Sequence, residues 1–141
     1  MRFWDSSALI PTVVPDAATS RVRRWMAEDG DVVIWALTRV ELRSALARLR
    51  REAPKRTAEL LEARRALLAG AERWAEISAV DLVRGHAEQV VERYPLRAAD
   101  ALQIAAAIVA SDGDRTSLDF VTLDRAQAEA AEHEGFHVLG P

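Results

Sequence analysis

Four acidic side chains occupy positions that an ordinary solvated surface does not explain: Asp5, Glu41, Asp100 and Asp124. Asp5 and Asp124 each follow a short apolar segment of the kind that forms a strand, whereas Glu41 and Asp100 lie on the apolar side of helical segments. Each acid also has an ordinary alternative role. A carboxylate after a strand or in a first helical turn commonly caps the helix, and a surface acid can pair with a neighbouring arginine.

Carboxylates that meet at one place favour a metal ion. Two of them about 4 Å apart repel by roughly 1 kcal/mol in water, and by more when they are partly buried. The chain has a single lysine, Lys55, and none of the four acids has a lysine beside it in the sequence. Oxygen ligands suit Mg²⁺ or Mn²⁺, and such an ion can hold a phosphate and lower the pKa of an attacking water. The four acids therefore predict a metal site for phosphodiester hydrolysis.

Short segments of β type alternate with helical ones along the chain. Strands are predicted at Arg2–Trp4, Val32–Trp35, Glu76–Ser78, Leu118–Leu123 and Phe136–Leu139. Helices are predicted between them, one with Asp16 as its N-cap and the last with Gly135 as its C-cap. This alternation predicts an α/β sandwich with a parallel sheet, in which ligands bind at the carboxyl ends of the strands. The two acids that follow strands are thus expected at one edge of the sheet, with the helices of the other two covering it.

The size and composition predict a single domain over residues 1–141. Half of the 141 residues are hydrophobic and 29% are charged, which argues against a disordered chain. No apolar run reaches the roughly 18 residues of a membrane-spanning helix, and no secretion signal is predicted, so the cytoplasm is the expected location. The absence of cysteine excludes disulfides, thiolate metal sites and a cysteine nucleophile.

The net charge of −3 is unevenly distributed. Residues 39–65 contain nine basic and four acidic side chains, a net of +5, whereas residues 66–141 contain six basic and thirteen acidic ones, a net of −7. The basic block has two interpretations, a solvated helix face with ion pairs between turns and a ridge that binds a polyanion. The negative overall charge therefore does not exclude a nucleic-acid partner.

Four segments together resemble one known family, the PIN-domain ribonucleases. They are WDSSALIP, LTRVELRSAL, LRAADALQIAAAI and DFVTLDRAQAEAAEHEGFHVLG. The resemblance extends over essentially the whole chain and is closest to the VapC-type toxins of bacterial toxin–antitoxin pairs. It implies a PIN-like three-layer α/β/α sandwich with a short-stranded central parallel sheet. It also implies Mg²⁺-dependent endonucleolytic cleavage of RNA and inhibition by a small antitoxin protein.

The resemblance further implies roles for the four acids. Asp5 and Asp100 are implied as the main direct ligands of Mg²⁺ or Mn²⁺, and Glu41 and Asp124 as groups that complete the coordination directly or through water. Asp119 is a rival of Asp124 for the fourth position, but strand alternation places it in mid-strand, away from the edge of the sheet.

Further residues are candidates for contacts with a substrate. Ser6 and Thr122 are candidates for hydrogen bonds to the site or to a phosphate. Gln103 stands where many relatives carry His, but it is not one of the four acids. The candidates for RNA contacts are three arginines of the basic block: Arg48, Arg50 and Arg51.

Other interpretations stay open. An aspartate-dependent phosphatase also has an Asp after its first strand, but it needs a second Asp two positions later, where this chain has Ser7. A catalytically inactive PIN domain used only for binding is a second alternative, against which the presence of all four acids argues.

The segment from His133 to His137 has the H-E-x-x-H order of zinc proteases, but Gly135 is expected to break the helix that both histidines require. The leucines of residues 60–68 could belong to the core, or to a contact with an antitoxin or a second copy in a homodimer.

Overall fold

One parallel sheet forms the centre of the computed structural model, which describes residues 1–141. Its strands are β1 (Arg2–Trp4), β2 (Val32–Trp35), β3 (Ala75–Ile77), β4 (Asp119–Val121) and β5 (Val138–Leu139). They lie in the order β3-β2-β1-β4-β5, and every neighbouring pair is parallel. The first strand of the chain is therefore the central strand of the sheet, with β2 on one side and β4 on the other.

Seven α-helices connect and cover these strands. They are α1 (Ser6–Leu9), α2 (Thr19–Glu28), α3 (Thr38–Glu52), α4 (Thr57–Ala71), α5 (Val80–Arg93), α6 (Ala98–Ala110) and α7 (Arg125–His133). A 3₁₀ turn with Pro11 extends α1, and another that begins at Pro54 joins α3 to α4. None of the helices combines the length and the apolar character that crossing a lipid bilayer requires.

The two faces of the sheet carry separate hydrophobic cores. Phe3 and Phe120 point to one face, where their rings stack with centroids 5.6 Å apart and where α5, α6 and α7 supply most of the other buried side chains. Trp4 and Val121, the next residue in each strand, point to the other face and pack with α1, α2, α3 and α4. This alternation is what a strand buried on both faces requires. The predicted three-layer α/β/α sandwich with a short-stranded parallel sheet is confirmed.

The ends of two helices test the predicted caps. Asp16 is not the N-cap of α2, because it lies in a turn before the helix, where its Oδ1 accepts a hydrogen bond from the Ala18 backbone N–H at 2.7 Å. The helix begins at Thr19, and Ala18 precedes it without a side-chain cap. Gly135 follows α7 with φ of 96°, a left-handed conformation that favours glycine, which confirms the predicted end of this helix.

The leucine pattern of α4 belongs mainly to the core. Leu60 and Leu67 are each 2% exposed and pack in the same cluster as Leu42 and Leu46 of α3. The core interpretation is therefore right for these two residues, and the helical hairpin of α3 and α4 is held together by its own leucines.

Candidate active site

The acidic side chains gather at the carboxyl end of β1, next to that of β4. From β1 the chain crosses to β2 on one side of the sheet, and β4 later joins on the other side. Such a change of direction opens a crevice between the two strands, where open α/β sheets bind ligands. The Asp5 backbone N–H donates to the Val121 carbonyl at 2.9 Å, so the residues that follow the two strands lie side by side.

Asp5 is a buried carboxylate surrounded by neutral donors. It is 3% exposed, and it caps α1 by accepting a hydrogen bond from the Ser7 backbone N–H at 3.0 Å. The Thr122 hydroxyl lies 3.4 Å from the same oxygen, and the Gln127 amide nitrogen lies 3.3 Å from the other. Burial raises the pKa of Asp5, and the hydrogen bonds from Ser7 and Gln127 act against that rise. The predicted capping role is present, and the side chain also faces the crevice.

Asp100 reaches the same place from the first turn of α6. Its Oδ1 accepts a hydrogen bond from the Gln127 amide nitrogen at 3.0 Å, and the side chain is partly exposed. Asp5 and Asp100 thus share one nitrogen atom, although they are far apart in the sequence.

Glu41 completes a cluster of three carboxylates. It lies in the first turn of α3, and its Oε2 accepts a hydrogen bond from the Gln103 amide nitrogen at 2.8 Å. Burial is the main cause that raises the pKa of Glu41, and the negative charges of Asp5 and Asp100 raise it further. The alternative of a surface ion pair with a neighbouring arginine is not what the structure contains, because Arg39 pairs with Glu72 on α4's C-terminal side instead.

Asp124 is connected to this cluster indirectly. It is exposed and caps α7, since its Oδ1 accepts a hydrogen bond from the Gln127 backbone N–H at 2.9 Å. Its own backbone N–H donates to the Thr122 hydroxyl at 3.0 Å. Asp124 is linked to Asp5 through Thr122 and Gln127. It therefore both caps α7 and lies beside the acidic cluster.

The rival acid, Asp119, lies at the opposite edge of the sheet. It is the first residue of β4 rather than a mid-strand residue, because the strand is shorter than predicted and begins there. Its Oδ2 accepts a hydrogen bond from Arg2 Nε at 3.2 Å, and its Oδ1 lies 2.9 Å from Nδ1 of His137. Asp119 is therefore not part of the acidic cluster.

Hydroxyl and amide side chains join the acids into one network. The fully buried Thr122 lies between Asp5, Gln127 and Asp124, while the Ser7 hydroxyl accepts from the Leu123 backbone N–H at 2.9 Å. The Ser6 side chain hydrogen-bonds to Glu41 and lowers the pKa of that carboxyl, which burial raises. Sequence reasoning named Ser6 and Thr122.

Sequence reasoning missed Gln127, and it named Gln103 only as a departure from relatives that carry His. Gln103 and Gln127 are 1% and 2% exposed, and each donates to the acids from an otherwise apolar helix face. A polar residue inside an alanine-rich helical pattern was the signal that could have identified them.

The three arginines proposed for RNA contacts lie in different surroundings. Arg48 lines a groove of about 490 Å³ beside the cluster, together with Ser6, Ser7 and Arg56. Arg50 lines a separate cleft between α3 and α4, and Arg51 is exposed at the end of α3. The structure therefore brings only Arg48 of the three to the groove next to the acids.

A comparison with protein-family models identifies the family. Residues 2–133 match the PIN domain. The chain belongs to the PIN domain family. This confirms the resemblance found in the sequence. PIN domains are generally nucleases, and these nucleases generally use divalent metal ions.

Solved structures support the same fold. PAE2754 from Pyrobaculum aerophilum is 21% identical over 97% of this chain and 82% of that chain, with a TM-score of 0.61. FitAcB from Neisseria gonorrhoeae is 22% identical over 99% of this chain and 96% of that chain, also with a TM-score of 0.61. VapC20 from Mycobacterium tuberculosis, a toxin that cleaves the sarcin–ricin loop, is 19% identical over the full length of both chains, with a TM-score of 0.61. At these identities the likeness shows the fold. A search of curated protein sequences gave no match.

The donor set of this PIN domain fits a hard divalent cation. No three acidic or histidine side chains converge closely enough to enclose a metal ion by themselves. Mg²⁺, however, keeps several waters and is usually held by only one or two carboxylates. Asp5 and Asp100 provide two carboxylates that lie close together, because both contact the amide nitrogen of Gln127. The zinc-protease order at His133 and His137 has no such support, because α7 ends at His133 and His137 lies beyond Gly135.

Proposed function

We propose that this PIN domain is an endoribonuclease dependent on Mg²⁺ or Mn²⁺ that acts as the toxin of a toxin–antitoxin pair. The observation that carries the proposal is the meeting of Asp5, Glu41 and Asp100 at the crevice beside β1, where all their hydrogen-bond donors are neutral. Membership of the PIN family supports nuclease chemistry. One buried acid and two partly buried acids without a basic partner are suited to a cation.

Each acid has a distinct task in the proposed reaction. Asp5 and Asp100 would hold the ion, with Glu41 and Asp124 completing its surroundings directly or through water. A bound divalent cation supplies positive charge for the phosphate and lowers the pKa of water. Glu41 has one oxygen fixed by the Gln103 amide, so its carboxylate would be held in place to orient the attacking water.

The substrate would enter along the groove beside the cluster. Arg48 and Arg56 line this groove together with Ser6 and Ser7, and Arg48 takes part in no ion pair, whereas Arg56 pairs with Glu59. A free guanidinium next to a cation site suits the phosphates of an RNA chain, and the Ser6 hydroxyl would hydrogen-bond to the site or to a phosphate.

The toxin role draws on the neighbours of similar fold. VapC20 is a toxin that cleaves the sarcin–ricin loop, and another neighbour is FitAB bound to a DNA fragment. By analogy, a small antitoxin protein would bind and inhibit this chain. A homodimer and a cytoplasmic location complete the proposal, and light scattering of the purified protein tests the first of these.

An RNA cleavage assay tests the nuclease. The wild-type protein is expected to cut RNA with Mg²⁺ and to stop when EDTA is added, and Asp5→Asn or Asp100→Asn should reduce the rate by at least about 100-fold, since each removes a ligand charge. Asp119→Asn is the matched control, because the same change at the opposite edge of the sheet should leave the rate unchanged. Cleavage at the wild-type rate by the Asp5→Asn, Asp100→Asn double variant would refute the proposal, and a folded wild-type protein that never cuts RNA would favour the inactive binding domain.

A further inference from the structure

Gln127 is the residue at which the acidic cluster is joined. Its amide nitrogen lies 3.3 Å from Oδ1 of Asp5 and 3.0 Å from Oδ1 of Asp100. Its amide oxygen accepts a hydrogen bond from the Thr122 hydroxyl at 3.0 Å, and its backbone N–H donates to Asp124 at 2.9 Å. One buried residue thus contacts two carboxylates with its side chain and a third with its main chain.

The chemistry of the partners fixes the orientation of this amide. Ionised carboxylates only accept hydrogen bonds, so the nitrogen of Gln127 has to face Asp5 and Asp100, and the oxygen has to face the hydroxyl of Thr122. An amide nitrogen has two hydrogens, which is one for each carboxylate. Both hydrogens are therefore committed to the two acids that are proposed to hold the cation.

Gln103 provides a comparison within the same site. It is equally buried, and its amide nitrogen lies 3.0 Å from the Thr38 hydroxyl and 2.8 Å from Oε2 of Glu41. The same pairing of a threonine with a glutamine occurs twice, but Gln103 contacts one carboxylate and Gln127 bridges two.

We propose that Gln127 is a positioning residue that holds Asp5 and Asp100 side by side while no cation is bound. Two carboxylates in one crevice repel each other, and the polarised N–H groups between them offset that repulsion. A lysine or arginine at this place would do the same, but its charge would compete with the cation. The amide has no net charge, so the cluster keeps the negative charge that attracts a divalent ion.

The first test needs no metal and no activity. Unfolding by urea in EDTA is measured for Gln127→Met, in the wild-type chain and in an Asp100→Asn chain. The destabilisation caused by Gln127→Met is expected to be clearly smaller in the Asp100→Asn chain, because one of the two bridged charges is then gone. The same loss of stability in both chains would overturn the proposal, since a merely structural glutamine gives that result.

Gln103→Met is the matched control in this comparison. Its effect should be the same in both chains, because the Gln103 amide does not contact Asp100. An equal reduction for Gln103→Met and Gln127→Met would count against a bridging role. If the Gln127→Met variant does not fold, Gln127→Asn replaces it in the same urea comparison, because its side chain is one methylene shorter and its amide does not reach the two carboxylates.

The second test concerns the cation, and this part of the inference rests on the proposed function. Calorimetric titration with Mn²⁺ or Mg²⁺ is expected to show binding weakened by about 10–100-fold in Gln127→Met, as is usual when a hydrogen-bond partner of a ligating carboxylate is lost. An unchanged affinity would overturn the positioning role. A wild-type protein that binds no metal would refute the proposed metal site, while the urea comparison would still decide whether Gln127 bridges the two acids.

Discussion

Thr122→Val removes one hydroxyl from the centre of the acidic network and keeps the shape of the side chain. The residue is fully buried, and its hydroxyl accepts a hydrogen bond from the Asp124 backbone N–H and donates one to Gln127 Oε1, both at 3.0 Å. Valine would leave this donor and this acceptor without their partner. Each buried polar group that loses its partner costs about 1–3 kcal/mol, so for the two groups we expect the free energy of unfolding to fall by about 2–6 kcal/mol.

Thr122→Ser is the matched control for this change. It keeps the hydroxyl and removes only a methyl group, which costs about 1 kcal/mol for a buried site. Urea unfolding in EDTA at neutral pH, with the two variants and the wild type side by side, measures the difference. A valine variant as stable as the wild type would show that the hydroxyl hydrogen bonds contribute no net stability, and the expected loss would be refuted.

Two further predictions concern charge. Glu41→Gln is expected to raise the melting temperature of the metal-free protein at pH 7, because burial and the charges of Asp5 and Asp100 raise the pKa of Glu41 and the native state disfavours its ionised form. The gain should vanish as the pH falls below the ordinary Glu value of 4.5, where the side chain is protonated in native and unfolded chains alike, and a gain that persists there would contradict this explanation. Arg48→Gln is expected to reduce the salt dependence of RNA binding by about one unit of slope, whereas Arg50→Gln, which alters a different cleft, should leave it unchanged. Equal slopes for the two variants would contradict the assignment of the groove.

Much of the fold follows from the sequence because the local signals agree with one another. The β-branched segment at residues 32–35 and the acid after each of two apolar segments predict a parallel sheet with its ligands at one edge. Asp5 and Glu41 lie close together because parallel strands have their carboxyl ends at the same edge of the sheet, and the helices that follow the strands begin at that edge. The predicted strand Leu118–Leu123 was longer than β4, since residues after Val121 turn away to form the site.

The part that sequence reasoning could not reach depends on which helix face is buried. At the start of α7 the capping acid Asp124 and the amide Gln127 are both polar, and only the packing of the helix on the sheet shows that the amide is the one directed inward. Arg48 and Arg50 illustrate the same point, because residues two positions apart on a helix are separated by about 200° and cannot serve one groove. The basic block therefore has to be divided by face before any of its charges is assigned to RNA.

The position of β1 between β2 and β4 has a consequence for the timing of synthesis. Asp5 is made almost at once, but the side chains that hold it, Thr122 and Gln127, come from the end of β4 and from α7, and β4 forms one side of the crevice. A nascent chain on the ribosome has no assembled crevice until this late segment has emerged and paired with the first strand. The residues proposed to hold the cation are therefore fixed in place only after nearly the whole chain has been made.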